Sequence, residues 1–314
     1  MKVAALLAIV MAAVLPSPRA QRAASVKVAF YNIRSGQGVT GLRGGASSFT
    51  AGPNCNDRSK PLNAWGTGVV QKTLTSSLGD DPSIVALGLA EAWKATCASP
   101  ERVRAALGWK AASDSQNGVA LVARYGFKGE RWQQLDTSKN KSPGDTAWVL
   151  RAEVCTDRSC QRQLLIYVGH WYATGAQQQD TYAMQARQTL DFMQSTSSRR
   201  PHVLIGDLNV WTALGPACRQ KPNGAAALDV LSNARYIDAW QLLHPNEDGS
   251  TGMLNRRGCG TPEGAAWKRI DYAWSPDGFR PTEITRFGVV RPGDEAPSDH
   301  YGILAAYPAN ALER

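Results

Sequence analysis

The chain is punctuated by short apolar runs that stop at, or start from, a polar residue. The clearest is Pro201-His202-Val203-Leu204-Ile205-Gly206-Asp207-Leu208-Asn209-Val210-Trp211. Its apolar stretch reads as a buried strand. Gly206 would let the backbone bend sharply as the strand ends. Asp207 and Asn209 stand two apart and would share a face if the backbone stays extended. An acid and an amide placed that way can hold a cation or a phosphate. The same residue types also suit a plain Asx turn, so this stretch alone leaves both readings open.

Runs of the same kind recur along the chain. Residues 26–33 carry Asn32 near their end, and residues 83–90 stop at Glu91. Residues 117–124 form another strand, and residues 146–154 and 163–168 form a hairpin whose second arm runs into Gly169-His170. Residues 269–274 contain Asp271, residues 279–290 are a further strand, and residues 298–307 begin with Ser298-Asp299-His300. Helical spacing occupies 63–78, where Trp65, Val69, Val70 and Leu74 share a face, and also 101–107, 181–193 and 225–234, with 237–243 extending the last. Residues 35–60 are rich in Gly and Ser and read as a long surface loop. Strands interleaved with helices indicate an α/β protein. No linker or change of composition divides the chain, so residues 25–314 are expected to form one domain.

Residues 1–24 have the form of a secretory leader: Lys2, an unbroken apolar run over residues 3–15, then Pro16-Ser17-Pro18-Arg19-Ala20. Ala20 and Ala24 are the candidate cleavage points. The apolar run is too short to span a bilayer, and no other stretch could. A secreted or periplasmic protein is expected. The formal charge of +9 falls to +6 once the leader takes Lys2, Arg19 and Arg22 with it, which still favours polyanions such as nucleic acid or anionic headgroups. Six cysteines in an exported chain favour disulfides. Cys155 and Cys160 would staple the hairpin; Cys55–Cys97 and Cys218–Cys259 are the simplest remaining pairs among the fifteen possible pairings. No C-x-x-C pair or nearby histidine supports a zinc site.

A core strand has no need of the polar residues at these ends. Read in order, Phe30-Tyr31-Asn32-Ile33, Leu89-Ala90-Glu91, Val168-Gly169-His170, Gly206-Asp207-Leu208-Asn209, Arg269-Ile270-Asp271-Tyr272 and Ser298-Asp299-His300 make the chain resemble the endonuclease/exonuclease/phosphatase superfamily, the deoxyribonuclease I-like metal-dependent phosphodiesterases. The resemblance implies a four-layered α/β/β/α sandwich of two mixed sheets flanked by helices, with the site along one edge. It implies a divalent cation, Mg2+ or another such as Mn2+ or Ca2+. Glu91 would be the main metal carboxylate, with Asp299 and Asn32 holding or orienting the ion. Asp207 and Asn209 would position water and phosphate, His300 would be the catalytic histidine oriented by Asp271, and His170 would contact the scissile phosphate. Asp145 is the candidate acid behind His170. Ala90 departs from the family, which often has Gln before the metal Glu.

These residue types suit phosphodiester hydrolysis. The substrate's charge repels an incoming hydroxide, and a hard cation on oxygen ligands offsets it. The expected function is a nuclease acting on DNA phosphodiester bonds, as a monomer. The alternatives are a phospholipid, sphingomyelin or phosphoinositide phosphohydrolase on the same chemistry, and a non-catalytic binding or toxin-partner module. Trp93, Trp171 and Trp211 follow site residues and would pack, stack on bases or dip into a lipid interface. Lys94, Lys268 and Arg269 would either contact phosphates or form a solvated rim.

Overall fold

Along residues 26–31 the side chains take turns. Val26, Val28 and Phe30 enter one apolar cluster, while Ala29 and Tyr31 enter another. A strand buried on both faces does this, since successive side chains point to opposite sides. The computed structural model describes residues 25–36, 65, 68–94, 97–137, 146–172, 179–211, 223–252, 266, 268–290 and 296–313. Their elements run β1 (Ser25–Asn32), α1 (Val69–Leu74), β2 (Ile84–Ala90), α2 (Pro100–Leu107), β3 (Ala111–Ala112), β4 (Ala120–Ala123), β5 (Phe127–Leu135), β6 (Ala147–Cys155) and β7 (Gln163–His170). Then come α3 (Gln179–Ser197), β8 (His202–Asp207), α4 (Ala225–Asn233), β9 (Tyr236–Asp238), α5 (Ala239–Leu243), β10 (Asp271–Pro276), β11 (Glu283–Phe287) and β12 (Gly302–Pro308).

The strands form two six-stranded mixed sheets, ordered β11-β12-β1-β2-β4-β3 and β5-β6-β7-β8-β10-β9. Each has one parallel pair at its centre, β1 with β2 and β7 with β8, and antiparallel neighbours outside it. The sheets face each other across Val28, Phe30 and Ile303 from one and Ile166, Val168 and Ile205 from the other. Behind the first sheet, Tyr31, Leu87 and Leu89 pack under α1 and α2 through Val70, Leu74 and Val103. Behind the second, Tyr167 and Leu204 pack under α3 and α4 through Tyr182, Met193 and Leu231. Each such side chain contributes roughly 1.5–3 kcal/mol on burial. The order is therefore helix, sheet, sheet, helix, as the resemblance implied.

Two glycines set how closely the layers approach near the ends that matter. A Cβ on Gly88 would lie 2.9 Å from Ile205 Cδ1 and 3.0 Å from Val168 Cγ1. A Cβ on Gly206 would lie 2.1 Å from the Gly169 carbonyl oxygen. Gly206 therefore serves close strand contact and not the sharp bend expected of it, because β8 continues through Asp207.

Several boundaries differ from the sequence reading. The helix expected over 63–78 begins only at Val69, after Gly68 at φ +83°, and its last turn widens into a π-helix over Thr75–Gly79. The helical extension over 237–243 is split: Asp238 ends β9, and its carboxylate accepts from the Trp240 and Gln241 N–H groups to start α5. β5 was not foreseen. It is an edge strand whose residues are mostly exposed, and its ladder is interrupted between Lys128 and Arg131, so neither apolar alternation nor an apolar run marks it. The hairpin of β6 and β7 is closed by a Cys155–Cys160 disulfide. Cys97 is also disulfide-bonded; Cys55, Cys218 and Cys259 lie outside the described residues, as do the leader and most of the 35–60 loop. No described helix is long and apolar enough to cross a membrane.

His202 shows how the core handles a buried polar ring. Its Nδ1 donates to the Arg200 carbonyl at 2.7 Å, so Nε2 is the acceptor for the Tyr236 hydroxyl, also at 2.7 Å. Burial holds this imidazole below its ordinary pKa, against the opposing pull of the Arg200 carbonyl. As pH falls below about 6.5, the unfolded chain takes up a proton that the folded one resists, so stability falls. Denaturant titrations between about pH 7 and pH 5 should therefore show wild type losing stability relative to His202→Phe on acidification, by at most about 1.4 kcal/mol per pH unit. His202→Phe should be less stable throughout, with the gap to wild type narrowing as pH falls; a gap that stays constant with pH would remove His202 from the account.

Candidate active site

Parallel pairing brings carboxyl ends side by side. In the first sheet Asn32 pairs with Ala90, which places Glu91 one residue beyond it. In the second, His170 pairs with Asp207. The antiparallel β10 enters from the same edge, with Asp271 opposite Asp207. Ser298, Asp299 and His300 lie just before β12, which runs antiparallel to β1. Six separate polar strand ends thus meet on one rim.

Asn32 joins the two sheets. Its fully buried side-chain amide donates to Glu91 Oε1 at 3.1 Å and to Asp207 Oδ2 at 3.0 Å, while its Oδ1 accepts from the Arg34 N–H at 3.1 Å. Asp207 Oδ2 also lies 3.8 Å from both His170 Nε2 and His300 Nε2. His300 Nδ1 is 2.9 Å from Asp271 Oδ2, and a carboxylate only accepts, so Nδ1 carries a hydrogen. Ser298 Oγ donates to the Asn32 carbonyl at 2.6 Å and accepts from the His300 N–H at 3.2 Å, fixing the start of β12 against the end of β1. The Thr251 hydroxyl oxygen accepts from the Asp271 N–H at 3.2 Å.

The backbone at the rim is unusual. Arg34, Ser35, Glu91 and Asn209 have φ values of +45°, +54°, +54° and +53°. Such non-glycine conformations are uncommon and cluster where surrounding structure enforces them. At Glu91 the enforcement is visible. Its carbonyl accepts from the Ser35 N–H at 2.9 Å and the Ser35 hydroxyl at 3.1 Å, and the next residue's N–H donates to the Gly118 carbonyl at 2.9 Å. Gly118 follows Asn117, both with positive φ, in a tight turn between the bridge partners Gln116 and Val119. A Cβ on Gly118 would stand 3.0 Å from Glu91 Cα. At Asn209 the N–H donates to Asp207 Oδ1 at 2.9 Å and the side-chain amide donates to the Trp171 carbonyl at 2.8 Å. The Asx turn and the site are one structure here. The extended face-sharing expected of Asp207 and Asn209 is absent, because Asn209 turns the chain.

Burial dominates the electrostatics. It pushes the Glu91 carboxyl up, helped by the charge of Asp299 and opposed by His170, His300 and Asn32. It pushes Asp207 up as well, helped by Asp271 and opposed by the same two histidines and Asn32. At His300 burial works against the charged ring, but the charge and hydrogen bond of Asp271, with Asp207 and Asp299 behind it, outweigh it and hold the imidazole well above its ordinary pKa. Carboxylates crowded above their ordinary range lack compensating positive charge. The ligand atoms of Asp207, Asp271 and His300 lie within 4.8 Å of one another, and the buried Asp271 Oδ1 has no hydrogen-bond partner. His300, held protonated, is a donor there and not a ligand; the carboxylates of Glu91 and Asp207 on the Asn32 amide, with the charge of Asp299 acting on Glu91, are the oxygen donors that fit a hard divalent cation.

Asn32, Glu91, His170, Asp207, Asp271 and His300 thus form one contiguous group. Asp299 borders it, with Oδ2 3.8 Å from Arg34 Nε. Asp145 lies outside the described residues. Arg269 neither contacts a phosphate position nor forms a solvated rim: it is buried, with Nη1 2.9 and 2.7 Å from the two carboxylate oxygens of Asp238. Lys94 is exposed and paired with Asp114 at 2.8 Å, whereas Lys268 sits 3.6 Å from the centre of the Trp211 ring. Trp171 is packing, fully buried with its N–H donating to Thr189. Arg34, Ser35 and Thr251 escaped the sequence reading, which quoted Ser298 beside Asp299 and His300 without giving it a role. Ser298 and Arg34 could have been suspected from their places beside Asp299 and Asn32; nothing local marks Thr251.

A family model described as "Endonuclease/Exonuclease/phosphatase family" matches residues 31–300. Among solved structures, an endonuclease/exonuclease/phosphatase from Bacteroides vulgatus superposes with a TM-score of 0.62 at 16% identity, over 90% of this chain and 98% of that one. A mannosyl-6-phosphatase from Bacteroides thetaiotaomicron gives 0.59 at 15% identity, over 90% and 99%. TDP2 from D. rerio, complexed with single-strand DNA product, gives 0.57 at 14% identity, over 90% and 98%. No curated protein sequence matches the chain.

The His300–Asp271 pair can be read directly. In metal-free protein, NMR titration of the imidazole should place the His300 pKa above about 6.5, and Asp271→Asn should bring it down. An His300 resonance that titrates identically in both proteins would contradict the assignment.

Proposed function

The chain belongs to the endonuclease/exonuclease/phosphatase family, whose members are metal-dependent phosphoesterases, and on that footing we propose that it is an exported phosphodiesterase hydrolysing nucleic-acid backbone, with DNA as its substrate. The observation that carries the reading is the placement of Asp207 between two histidines, each 3.8 Å away, with Asp271 behind one of them.

A bound divalent cation, Mg2+ in the first instance, would supply positive charge against the phosphate and the leaving oxygen. Glu91, Asp299 and Asn32 are the residues to hold or orient it, with Asp207 adjoining. The remaining groups position and move protons. Asp207, its carboxyl pushed up by burial and Asp271, suits accepting a proton from the attacking water. Asn209 holds Asp207 in place through its own N–H. His300, kept protonated by Asp271, and His170 on the other side are donors for the phosphate's non-bridging oxygens. Catalysis on this plan is mostly positioning and electrostatics, which suits a reaction with little covalent chemistry for the protein to do.

The basic charge of the chain, and a structural relative solved with a single-strand DNA product, support nucleic acid over a lipid headgroup. A substrate panel with added Mg2+ tests this: plasmid DNA, RNA, sphingomyelin and phosphoinositides. We expect plasmid nicking, its loss on chelation, and a fall of roughly 10²–10⁴-fold in Asp207→Ala and His300→Ala at unchanged folding. Lipid cleavage without nicking would replace the substrate class, and full turnover in either variant would overturn the reading.

A further inference from the structure

We propose that the pole of the molecule opposite the catalytic rim carries a second site, one that binds a phosphate group. β7 runs from Gln163 to His170, so the turn feeding its first residue lies roughly 25 Å from the rim. At that pole a cavity of about 460 Å³ is lined by Trp109, Lys110, Arg124, Tyr125 and Arg158, among others. The three cations come from three segments. Lys110 follows α2, Arg124 follows β4, and Arg158 sits in the turn between β6 and β7 that the Cys155–Cys160 disulfide closes. The pocket therefore spans both sheets, just as the catalytic rim does at the other end.

The cations are held as a receptor would hold them. Arg124 is anchored: Nε donates to the Ile84 carbonyl at 2.8 Å and Nη2 to the Leu78 and Gly79 carbonyls at 2.7 and 3.0 Å. Its guanidinium lies 4.9 Å over the Trp109 ring, and Nη1 makes no bond among the described residues. Lys110 and Arg158 are exposed and have no acidic partner among those residues. Of the nearby acids, Asp157 pairs with Arg162 at 3.6 Å and Asp81 with Lys27 at 2.9 Å, while the exposed Asp80 acts on Arg124 through its charge without an ion pair among the described residues. The Trp109 N–H is buried without a partner. An anchored guanidinium with only Nη1 left to donate, beside two cations without acidic partners among the described residues, gathers more positive charge than a single carboxylate needs and suits a dianionic tetrahedral oxyanion. The volume leaves room for the organic part of a phosphate ester beside Tyr125.

Calorimetric titration of the full chain, with chelator present, tests this with three probes: inorganic phosphate, thymidine 5′-monophosphate and a 5′-phosphorylated oligonucleotide. Binding should weaken by about tenfold or more in Lys110→Ala/Arg158→Ala, where charge-assisted bonds are lost. It should be unchanged in Arg102→Ala, which removes an exposed cation elsewhere. Phosphodiesterase activity of the double variant should stay within about twofold of wild type, since neither residue belongs to the catalytic group. Equal binding of phosphate and nucleotide identifies the free group as ligand, and markedly tighter binding of the oligonucleotide identifies a strand end; both support the site. Wild-type affinity in the double variant, an equal loss in Arg102→Ala, or no binding of any probe by wild type would overturn it.

Discussion

Each sheet has a single parallel pair at its centre, and that pairing decides where the candidate site sits. Parallel strands in register end together, so Asn32 arrives beside Glu91 and His170 beside Asp207. The antiparallel neighbours then deliver Asp271 and His300 from the opposite chain direction to the same edge. Face-to-face packing stacks the two edges, and the Asn32 amide bonds across the seam to a carboxylate from each sheet. A shift of one residue in either parallel ladder would send these side chains to the wrong face. The register, held by apolar side chains on both faces of every central strand, is therefore a condition of the site.

Close approach near the rim has its own requirements. Gly88 lets the sheets meet, and Gly206 lets β8 lie close against the Gly169 carbonyl of β7, within a few residues of the candidate site. The positive φ of Glu91 costs on the order of 1–3 kcal/mol in isolation. It is held by hydrogen bonds to Ser35 and by the Asn117-Gly118 turn packed against it. Rigid strand ends and enforced loop conformations together give a site preorganised before any ligand arrives.

Much of this was legible in the sequence. The central strands are apolar runs, and the polar residues that interrupt them have no place in a core, so one signal marked both the strand ends and the candidate site residues that the fold brings to one rim. What escaped it obeys other physics. β5 is an edge strand with an exposed face, which weakens its pattern. Residues 63–68 carry helical spacing, but Gly68 in a left-handed conformation delays the helix to Val69. Arg269 looked like a rim cation because sequence cannot reveal its buried partner Asp238, thirty-one residues away. Thr251 supports Asp271 through a contact that reaches across twenty residues, and no motif surrounds it. The two readings of Asp207-Leu208-Asn209 were not alternatives: the Asx turn is what aims the carboxylate.

Burial pushes up the carboxyls of Glu91 and Asp207, the first helped by the charge of Asp299 and the second by that of Asp271, which makes sense if the rim is built for a divalent cation. The most direct measurement is calorimetric titration of the purified chain with Mn2+, comparing wild type with Glu91→Gln, which preserves shape and the Asn32 contact while removing the charge. The account predicts saturable binding by wild type, weakened by about tenfold or more in the variant, with both proteins melting alike in chelator. Equal Mn2+ affinity in the two proteins, or no binding by wild type, would contradict it.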